Sequence, residues 1–242
     1  MSIATELAAL STNITNAYNA IQEKGGTIPA NKNTENLVNA INSISAGGGS
    51  NYEEDFINML SNKDTMTTIN FPESITSIGS NAFIGCTNLA LTSLPSGVTS
   101  IGNYAFSNCT NLALTSLPSG VTSIGSYAFQ RCTNLALTSL PSGVTSIETN
   151  VFQGCTKLAL TSLPSGVTSI GINAFGGCTN LTSIRIGNKI KSIGVYAFGL
   201  GSKLTKVYID LPRATVEAMS DYGNWGVTNA TIICNDDAGW VA

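Results

Sequence analysis

The residues of this chain best suited to chemistry are its cysteines, five of which recur at a constant interval of 23 positions. They are Cys86, Cys109, Cys132, Cys155 and Cys178. That spacing matches no zinc-binding pattern, and the chain has no histidine to complete a metal site. A buried cysteine without such partners behaves as a small hydrophobic side chain. We therefore expect a ladder of buried, reduced thiols. Disulfides between adjacent rungs are the alternative, although five rungs cannot all pair.

The residue combinations that catalysis requires are also missing. Without histidine, neither the commonest general base nor a Ser–His or Cys–His pair can be assembled. Glu148 is the only acidic residue between 75 and 209, so two facing carboxylates of the glycosidase kind cannot form there. Asn235, Asp236 and Asp237 offer oxygen ligands for a cation, but carboxylates in a terminal segment are usually solvated. The sequence therefore predicts a protein that is not an enzyme and has no cofactor or metal.

The cysteine interval is part of a 23-residue repeat that runs from 75 to 212 without insertion. One unit cannot bury its apolar side chains alone, whereas stacked units form a continuous core. The period therefore predicts a solenoid whose coils are spaced about 4.8 Å apart. The six units start at Ile75, Val98, Val121, Val144, Val167 and Ile190. The apolar positions, taken from the second unit, are Val98, Ile101, Ala105, Phe106, Cys109, Leu112, Leu114, Leu117 and Pro118.

Each unit is expected to contain two strands and two turns. In the second unit, the main strand is predicted over 112–117 and a short second strand over 98–101. Pro118 and Gly120 are typical turn residues, because proline fixes φ and glycine accepts positive φ. The segment 104–108 is predicted to be a helical or 3₁₀ turn that carries Phe106 inward. The expected fold class is therefore an α/β solenoid.

The motif Phe-x-x-Cys-x-x-Leu, followed by a Leu/Ile strand, Pro and Val-Thr-Ser-Ile-Gly, resembles the BspA-type leucine-rich repeat. The resemblance covers about 75–212 and implies a right-handed leucine-rich solenoid of six to seven coils. Such solenoids occur in bacterial surface adhesins and in some phage tail proteins. The family strand usually reads Leu-x-x-Ile-x-Ile-Pro, which the fifth unit nearly follows with Leu181, Ile184 and Ile186. Units one to four place Thr115 or its equivalent at an inward position, which predicts a bulge or an altered register.

The segment before the repeats is predicted to be a separate helical domain. Residues 1–46 carry apolar residues at coiled-coil spacing, followed by an apolar stripe in a second helix ending near Ser43. We interpret them as an attachment or oligomerisation segment, with a self-contained helical hairpin as the alternative. Residues 47–50 are a glycine-rich linker. The coiled-coil positions are Ile3, Leu7, Leu10, Ile14, Ala17 and Ile21.

The leucine-rich repeat domain is predicted to span 51–242. Residues 51–74 are interpreted as an N-terminal cap, 75–212 as the repeats and 213–242 as a C-terminal cap. The C-terminal cap is expected to complete a strand–helix–strand order, with a helix over 213–219 and a last strand over 231–234. Trp225 and Tyr222 are expected to cover Phe198 and Leu204 at the end of the core.

Composition narrows the possible functions. The charged fraction is 10% and the net charge is −3, which argues against nucleic-acid binding. The first residues lack a basic region followed by an apolar one, and no run of 18 apolar residues exists, so neither a secretory signal nor membrane insertion is expected. One stretch, 185–206, is basic and is read either as a solvated patch or as a site for polyanions. It contains Arg185, Lys189, Lys191, Lys203 and Lys206.

Comparison of the units with one another locates the candidate binding residues. The units differ mainly at two pairs of positions that flank the Ala-Phe or Val-Phe step, so these positions should form one stripe along the solenoid. Tyrosine and arginine are common in recognition surfaces. Drift after recent duplication is the alternative. The candidates are Asn81, Asn103, Tyr104, Asn108, Tyr127, Gln130, Arg131, Asn150, Gln153, Asn173 and Tyr196.

These features together predict a non-enzymatic binding protein. The first hypothesis is a phage or prophage tail-associated or receptor-binding protein that contacts a bacterial cell surface. Its ligand would be a cell-surface protein or glycan, and residues 1–46 would bind a tail component or self-associate. A bacterial cell-surface adhesin and an architectural spacer without ligand are the alternatives. The expected location is accordingly the virion or the cell surface.

Overall fold

The structure is a computed structural model that describes residues 66–69, 71, 75–199, 203–228, 230–238 and 240. The chain divides into two units, Met1–Ser61 and Asn62–Ala242, and all described residues belong to the second. The predictions for residues 1–46, for the linker 47–50 and for most of the segment 51–74 therefore lie outside the described residues.

Short parallel strands recur at the Ser-Ile pair of each coil. Neighbouring strands pair with a shift of one repeat, as in Ser77 with Ser100 and Ser146 with Ser169. In every pair the isoleucine is buried and the serine lies nearer the surface, so this position confirms the predicted second strand. The strands are β1 (Ser77–Ile78), β2 (Ser100–Ile101), β3 (Ser123–Ile124), β4 (Ser146–Ile147), β5 (Ser169–Ile170) and β7 (Ser192–Ile193). They form two sheets, β1-β2-β3 and β4-β5-β7.

A third parallel sheet lies on the Leu/Ile side of the last coils. It consists of β6 (Ser183–Ile186), β8 (Lys206–Ile209) and β9 (Thr231–Cys234), in the order β6-β8-β9. The main strand is therefore confirmed for the fifth and sixth units.

The main strand predicted over 112–117 is wrong for the second unit. Leu112, Leu114 and Leu117 are buried there, whereas Thr115 and Ser116 are both exposed. Two successive outward residues break the alternation that a regular strand requires, and the chain bends at Thr115. This bend is the departure from the family pattern that the sequence predicted.

The segment 104–108 is a chain of turns whose local bonds span three residues, so the α-helical alternative is wrong, whereas the predicted inward position of Phe106 is confirmed. The N–H groups of Tyr104, Phe106 and Asn108 donate to carbonyls of the next coil, at N···O distances of 3.0, 2.8 and 2.7 Å. Those of Ala105 and Ser107 donate to the carbonyl three residues earlier in the same coil, at 3.3 and 3.1 Å. A helix keeps all its N–H groups within itself, whereas here alternate groups join the coils. The fold is therefore a β-solenoid rather than an α/β solenoid.

The core is organised as ladders of identical side chains. The phenylalanine rings of successive coils stack with centroids 5.2 to 5.7 Å apart. Isoleucine, leucine and valine form parallel ladders beside them, nearly all of them buried. The stacked phenylalanines are Phe83, Phe106, Phe129, Phe152, Phe175 and Phe198.

The five cysteines of the repeats form a second internal ladder, and their predicted burial is confirmed, while Cys234 outside this ladder is buried as well. The Sγ atoms of Cys109 and Cys132 donate to the carbonyls of Phe83 and Phe106 in the preceding coil, at 2.9 and 3.0 Å. Burial raises the pKa of the Cys178 thiol to about 12. These cysteines therefore combine apolar packing with a bond between coils, and their reduced state in the cell remains a prediction.

The C-terminal segment has the predicted order of elements. The only helix in the described part of the chain is α1 (Arg213–Glu217), two residues shorter than predicted, and β9 ends the order. Trp225 is fully buried, and its carbonyl accepts the N–H of Phe198 at 2.9 Å. Arg213 joins the helix to the last strand, because its Nη2 donates to the carbonyl of Ile232 at 2.9 Å, and its Nε donates to Asp237 just beyond that strand at 2.9 Å.

Candidate functional site

The candidate residues lie in the turn that carries the phenylalanine ladder. Because alternate N–H groups of this turn bond to the next coil, each position recurs beside its counterpart one coil away. The stripe therefore consists of columns. The first column contains Asn81, Tyr104, Tyr127, Asn150, Asn173 and Tyr196. The second column contains Gly85, Asn108, Arg131, Gly154 and Gly177.

Both columns have a left-handed backbone. The φ angles of the first column lie between 52° and 61°, and those of the second between 57° and 76°. Glycine adopts this conformation freely and asparagine at small cost, whereas most other residues are strained in it. The asparagines at 81, 108, 150 and 173 are therefore explained by the turn itself. Their place in the stripe gives no evidence for binding.

Four residues of the columns are not explained by the turn. Tyr104, Tyr127, Tyr196 and Arg131 have φ angles of 56°, 61°, 54° and 57°. The same chain uses Asn or Gly at the equivalent positions of other coils, which is cheaper by roughly 1 kcal/mol per residue. Relaxed drift should favour Asn and Gly here. Strain of this kind is typical of residues kept for function.

Tyr104 and Tyr127 form a stacked pair on adjacent coils. Their ring centroids are 4.4 Å apart and the ring planes differ by 9°. Partial burial and the neighbouring Tyr127 raise the pKa of the Tyr104 hydroxyl above its ordinary value. The next residues of the column on either side are Asn81 and Asn150, whose short side chains do not continue the stack. The pair is therefore an isolated aromatic feature of the stripe.

Polar side chains beside the tyrosines are bonded from coil to coil. Gln130 Nε2 donates to Gln153 Oε1 at 2.6 Å, and Ser107 Oγ donates to Gln130 Oε1 at 3.4 Å. Asn108 Nδ2 donates to Ser107 Oγ at 3.2 Å. Ser107 is buried, whereas the partly buried amides of Asn108, Gln130 and Gln153 keep further donors and acceptors that a ligand can use. The remaining candidate, Asn103, accepts the N–H of Ser126 at 2.9 Å and so supports the fold.

Arg131 is the cation of this part of the stripe. It is exposed and forms no salt bridge with any described residue. Its side chain passes over Gly154 in the next coil, where an added Cβ would lie 3.4 Å from Arg131 Cγ. Glycine at that position therefore leaves room for the arginine, and the guanidinium group stays available.

A second exposed cluster lies further along the stripe. Tyr196 is 57% exposed, and Ile172 of the preceding coil is 48% exposed. Both are large apolar side chains on the surface. Exposed side chains of this kind normally occur singly on protein surfaces. Tyr196 is one of the candidates predicted from the sequence, whereas Ile172 lies at a variable position of the stripe but is not among those candidates. The signal was available, because the other units carry Ser, Asn, Thr or Val at that position.

The acidic pair near the C-terminus and Arg185 of the basic stretch have local partners. Asp236 and Asp237 are bound by Arg213, and no cluster of three metal-ligating side chains occurs among the described residues. Arg185 of the basic stretch pairs with Asp210 at 3.1 Å and lies over the Trp240 ring at 4.5 Å. No helix in the described ranges has the length and apolar character to cross a membrane.

Comparison with known proteins agrees with the repeat. The sequence model of the BspA type leucine rich repeat region matches residues 57–159 and 134–229 in 6 copies. No curated protein matches the chain. A leucine rich repeat protein of T. pallidum is 25% identical, with a TM-score of 0.45, covering 69% of this chain and 86% of its own.

Two further solved structures are similar. A leucine rich cell surface protein from Faecalibacterium prausnitzii is 25% identical with a TM-score of 0.35, and the match covers 72% of this chain and 61% of that protein. The pneumococcal vaccine antigen PcpA is 22% identical with a TM-score of 0.45, and the match covers 62% of this chain and 43% of the antigen. With the family model covering most of its length, the chain belongs to the BspA-type leucine-rich repeat family.

Proposed function

We propose that this chain is a non-enzymatic binding protein that acts at a bacterial cell surface, with the stripe as its adhesive surface. The observation that carries the proposal is the retention of Tyr104, Tyr127, Arg131 and Tyr196 on strained backbone where Asn or Gly serves other coils. Membership of a repeat family in which surface adhesins occur supports the same reading. The absence of histidine from the sequence supports a role without catalysis.

The chain itself supplies the variant that tests this proposal. Replacing each of the four residues by the residue of a neighbouring coil gives Y104N, Y127N, R131G and Y196N together, here called the repeat-matched variant. The labelled full chain should bind some member of a panel of bacterial and animal cells, and the repeat-matched variant should lose most of that binding. Equal binding by both proteins would remove the stripe from the proposal. Binding by neither would favour the architectural spacer.

A tail-associated role is the second candidate, and it rests on the apolar coiled-coil pattern predicted for residues 1–46. In this version the segment binds a tail component or a second copy of the chain, while the solenoid contacts the host cell. Light scattering of the full chain at tens of micromolar should then report an oligomer. A monomer that captures no tail protein would leave the surface adhesin as the better proposal.

The strand–helix–strand segment at the C-terminus is proposed to act as the cap of the solenoid. Its support is the buried Trp225 at the end of the phenylalanine ladder and the bond from Arg213 to the Ile232 carbonyl, which joins α1 to β9. Repeat arrays need such an end to keep their last core residues from water.

A further inference from the structure

We infer that the ligand of the Tyr104–Tyr127 region is an acidic carbohydrate, held by the tyrosine pair, the Arg131 guanidinium and the neighbouring amide side chains. This inference rests on the proposed function and specifies its ligand. The region combines an aromatic surface, a cation available for an anion and amide groups for hydroxyls within two adjacent coils and the edge of a third. No single element of this set would select a sugar acid.

The charge of the repeats favours an anionic ligand. Between residues 75 and 212 the sequence has seven basic and two acidic residues, although the whole chain has a net charge of −3. Of the two acids, Asp210 is paired with Arg185, and Glu148 accepts a hydrogen bond from Ser146 at 2.7 Å. Arg131 therefore faces a ligand without a competing carboxylate among the described residues. Its planar guanidinium binds a carboxylate through two parallel hydrogen bonds.

The tyrosines and glutamines favour a sugar as the carrier of that acid. The apolar face of a pyranose ring packs on aromatic rings, and its hydroxyl groups pair with amide donors and acceptors. The stacked pair covers one face of each ring and leaves the opposite faces and the ring edges for such packing, beside the Gln130–Gln153 bond, in which each amide retains unused hydrogen-bonding capacity. Asn108, which lies one coil before Arg131 in the same column, adds another amide to the same surface.

A peptide ligand fits this surface less well. Proteins bind extended peptides through open strand edges or apolar grooves. Here the N–H groups of Tyr104, Phe106 and Asn108 are already used by the next coil, so the turn offers no free ladder of backbone donors. The only two large apolar side chains exposed in the described part, Ile172 and Tyr196, lie two and three coils away from Tyr127.

Calorimetric titration of the full chain with sialyllactose and with lactose tests the inference, because the two probes differ only in the acidic sugar. Sialyllactose should bind at least tenfold more tightly than lactose. Arg131→Gly, which copies Gly154, should remove that preference. Tyr127→Asn, which copies Asn150, should weaken binding of both sugars. Thr138→Ala, in the leucine-rich segment outside the stripe, should leave both affinities unchanged.

The outcomes separate this inference from the proposed function. Equal affinity for the two sugars, or a preference that survives in Arg131→Gly, would overturn the acidic-sugar inference. A polyglutamate peptide and hyaluronan fragments serve as two further anionic probes. If the peptide binds more tightly than both sialyllactose and the hyaluronan fragments, the inference is overturned in favour of an acidic protein as the ligand. If no glycan binds while cell binding still depends on the four stripe residues, the inference fails and the proposed function stands. If cell binding is also independent of those residues, both fail.

Discussion

Single residues of the stripe are constrained first by backbone conformation and only then by ligand. Asn173 has a φ of 52°, and its position is occupied by either Asn or Tyr in every coil of the solenoid. A residue with a Cβ but no compensating polar group should be strained here. Asn173→Ala should therefore lower the free energy of unfolding by about 1 kcal/mol, whereas Asn173→Gly should change it by less than about 0.5 kcal/mol. Urea unfolding of both variants measures this, and an equally large loss in both would contradict the turn geometry.

The cysteine thiols should be unreactive in the folded protein. Burial raises the pKa of Cys178 to about 12 and raises those of Cys132 and Cys155 above their ordinary value as well. Because the thiolate is the reactive species, iodoacetamide at pH 8 should modify these residues only through unfolding. Intact-mass measurement should find little modification in the native protein and six modified sulfurs after denaturation without reductant. A missing pair would indicate a disulfide.

The sequence was informative about residues where burial decides their identity. The Phe, Cys and Ile ladders follow from the period, because stacked units must bury the same positions. The left-handed turn was not foreseen, although Asn and Gly at 81, 85, 108, 150 and 154 are its usual residues. Their variation was interpreted as possible ligand contact. Sequence variation alone does not distinguish positions set by backbone conformation from positions that contact a ligand.

At the scale of the element, the ring ladder and the stripe belong to the same turn but should respond differently to substitution. Phe129 is fully buried, with rings stacked on both sides at 5.6 and 5.7 Å. Phe129→Ala should lower the free energy of unfolding by about 3–5 kcal/mol, because it removes one ring from the middle of the ladder. Tyr127→Asn should change it by less than about 1 kcal/mol in either direction, since relief of backbone strain offsets the lost stack. Similar losses in denaturant unfolding would mean that the inward face is assigned wrongly.

The C-terminal elements should show an acid-dependent stability. Arg213 and the N–H of Cys234 hold the pKa of Asp237 below its ordinary value of 3.8. The carboxylate therefore stabilises the fold at pH values above about 4, and this contribution is lost as the pH falls through the lowered pKa. Melting temperatures at pH 7 and pH 3 measure the effect.

The matched controls for that effect are two asparagine substitutions. Asp237→Asn should melt lower than the native chain at pH 7 and should lose less on acidification. Asp221→Asn keeps a residue that tolerates the φ of 62°. Its melting temperature should fall between pH 7 and pH 3 by as much as that of the native chain. An unchanged pH dependence in Asp237→Asn would remove the pair from the account of the C-terminus.

Strand prediction was correct where buried and exposed residues alternate along the chain. It was wrong where a bend in the chain interrupts that alternation. Ser100–Ile101 and Thr231–Cys234 lie where the sequence placed them. The main strand of the second unit fails at Thr115 and Ser116, which both face outward. The α-helical alternative for 104–108 is wrong because alternate N–H groups of this segment donate to carbonyls of the next coil. A single unit contains no information about such partners, since they belong to its neighbours.

In the molecule as a whole, the repeat allows the residues of the stripe to vary independently of the core. Each coil supplies the same buried ladder residues, so side chains on the turn can change without changing the fold. The strain at Tyr104, Tyr127, Arg131 and Tyr196 is then the stability given up for an exposed surface of aromatic and cationic groups. Such a loss of stability is expected if these residues bind a ligand and is not expected from drift alone.

The measurement that tests it most directly is the free energy of unfolding of the repeat-matched variant, Y104N, Y127N, R131G and Y196N combined, beside that of the native chain. The account predicts that the variant is at least as stable, because four left-handed positions gain residues that tolerate them. Its binding should be lost at the same time. A variant that is less stable by more than about 2 kcal/mol would show that these side chains are held for the fold, and it would contradict the claim.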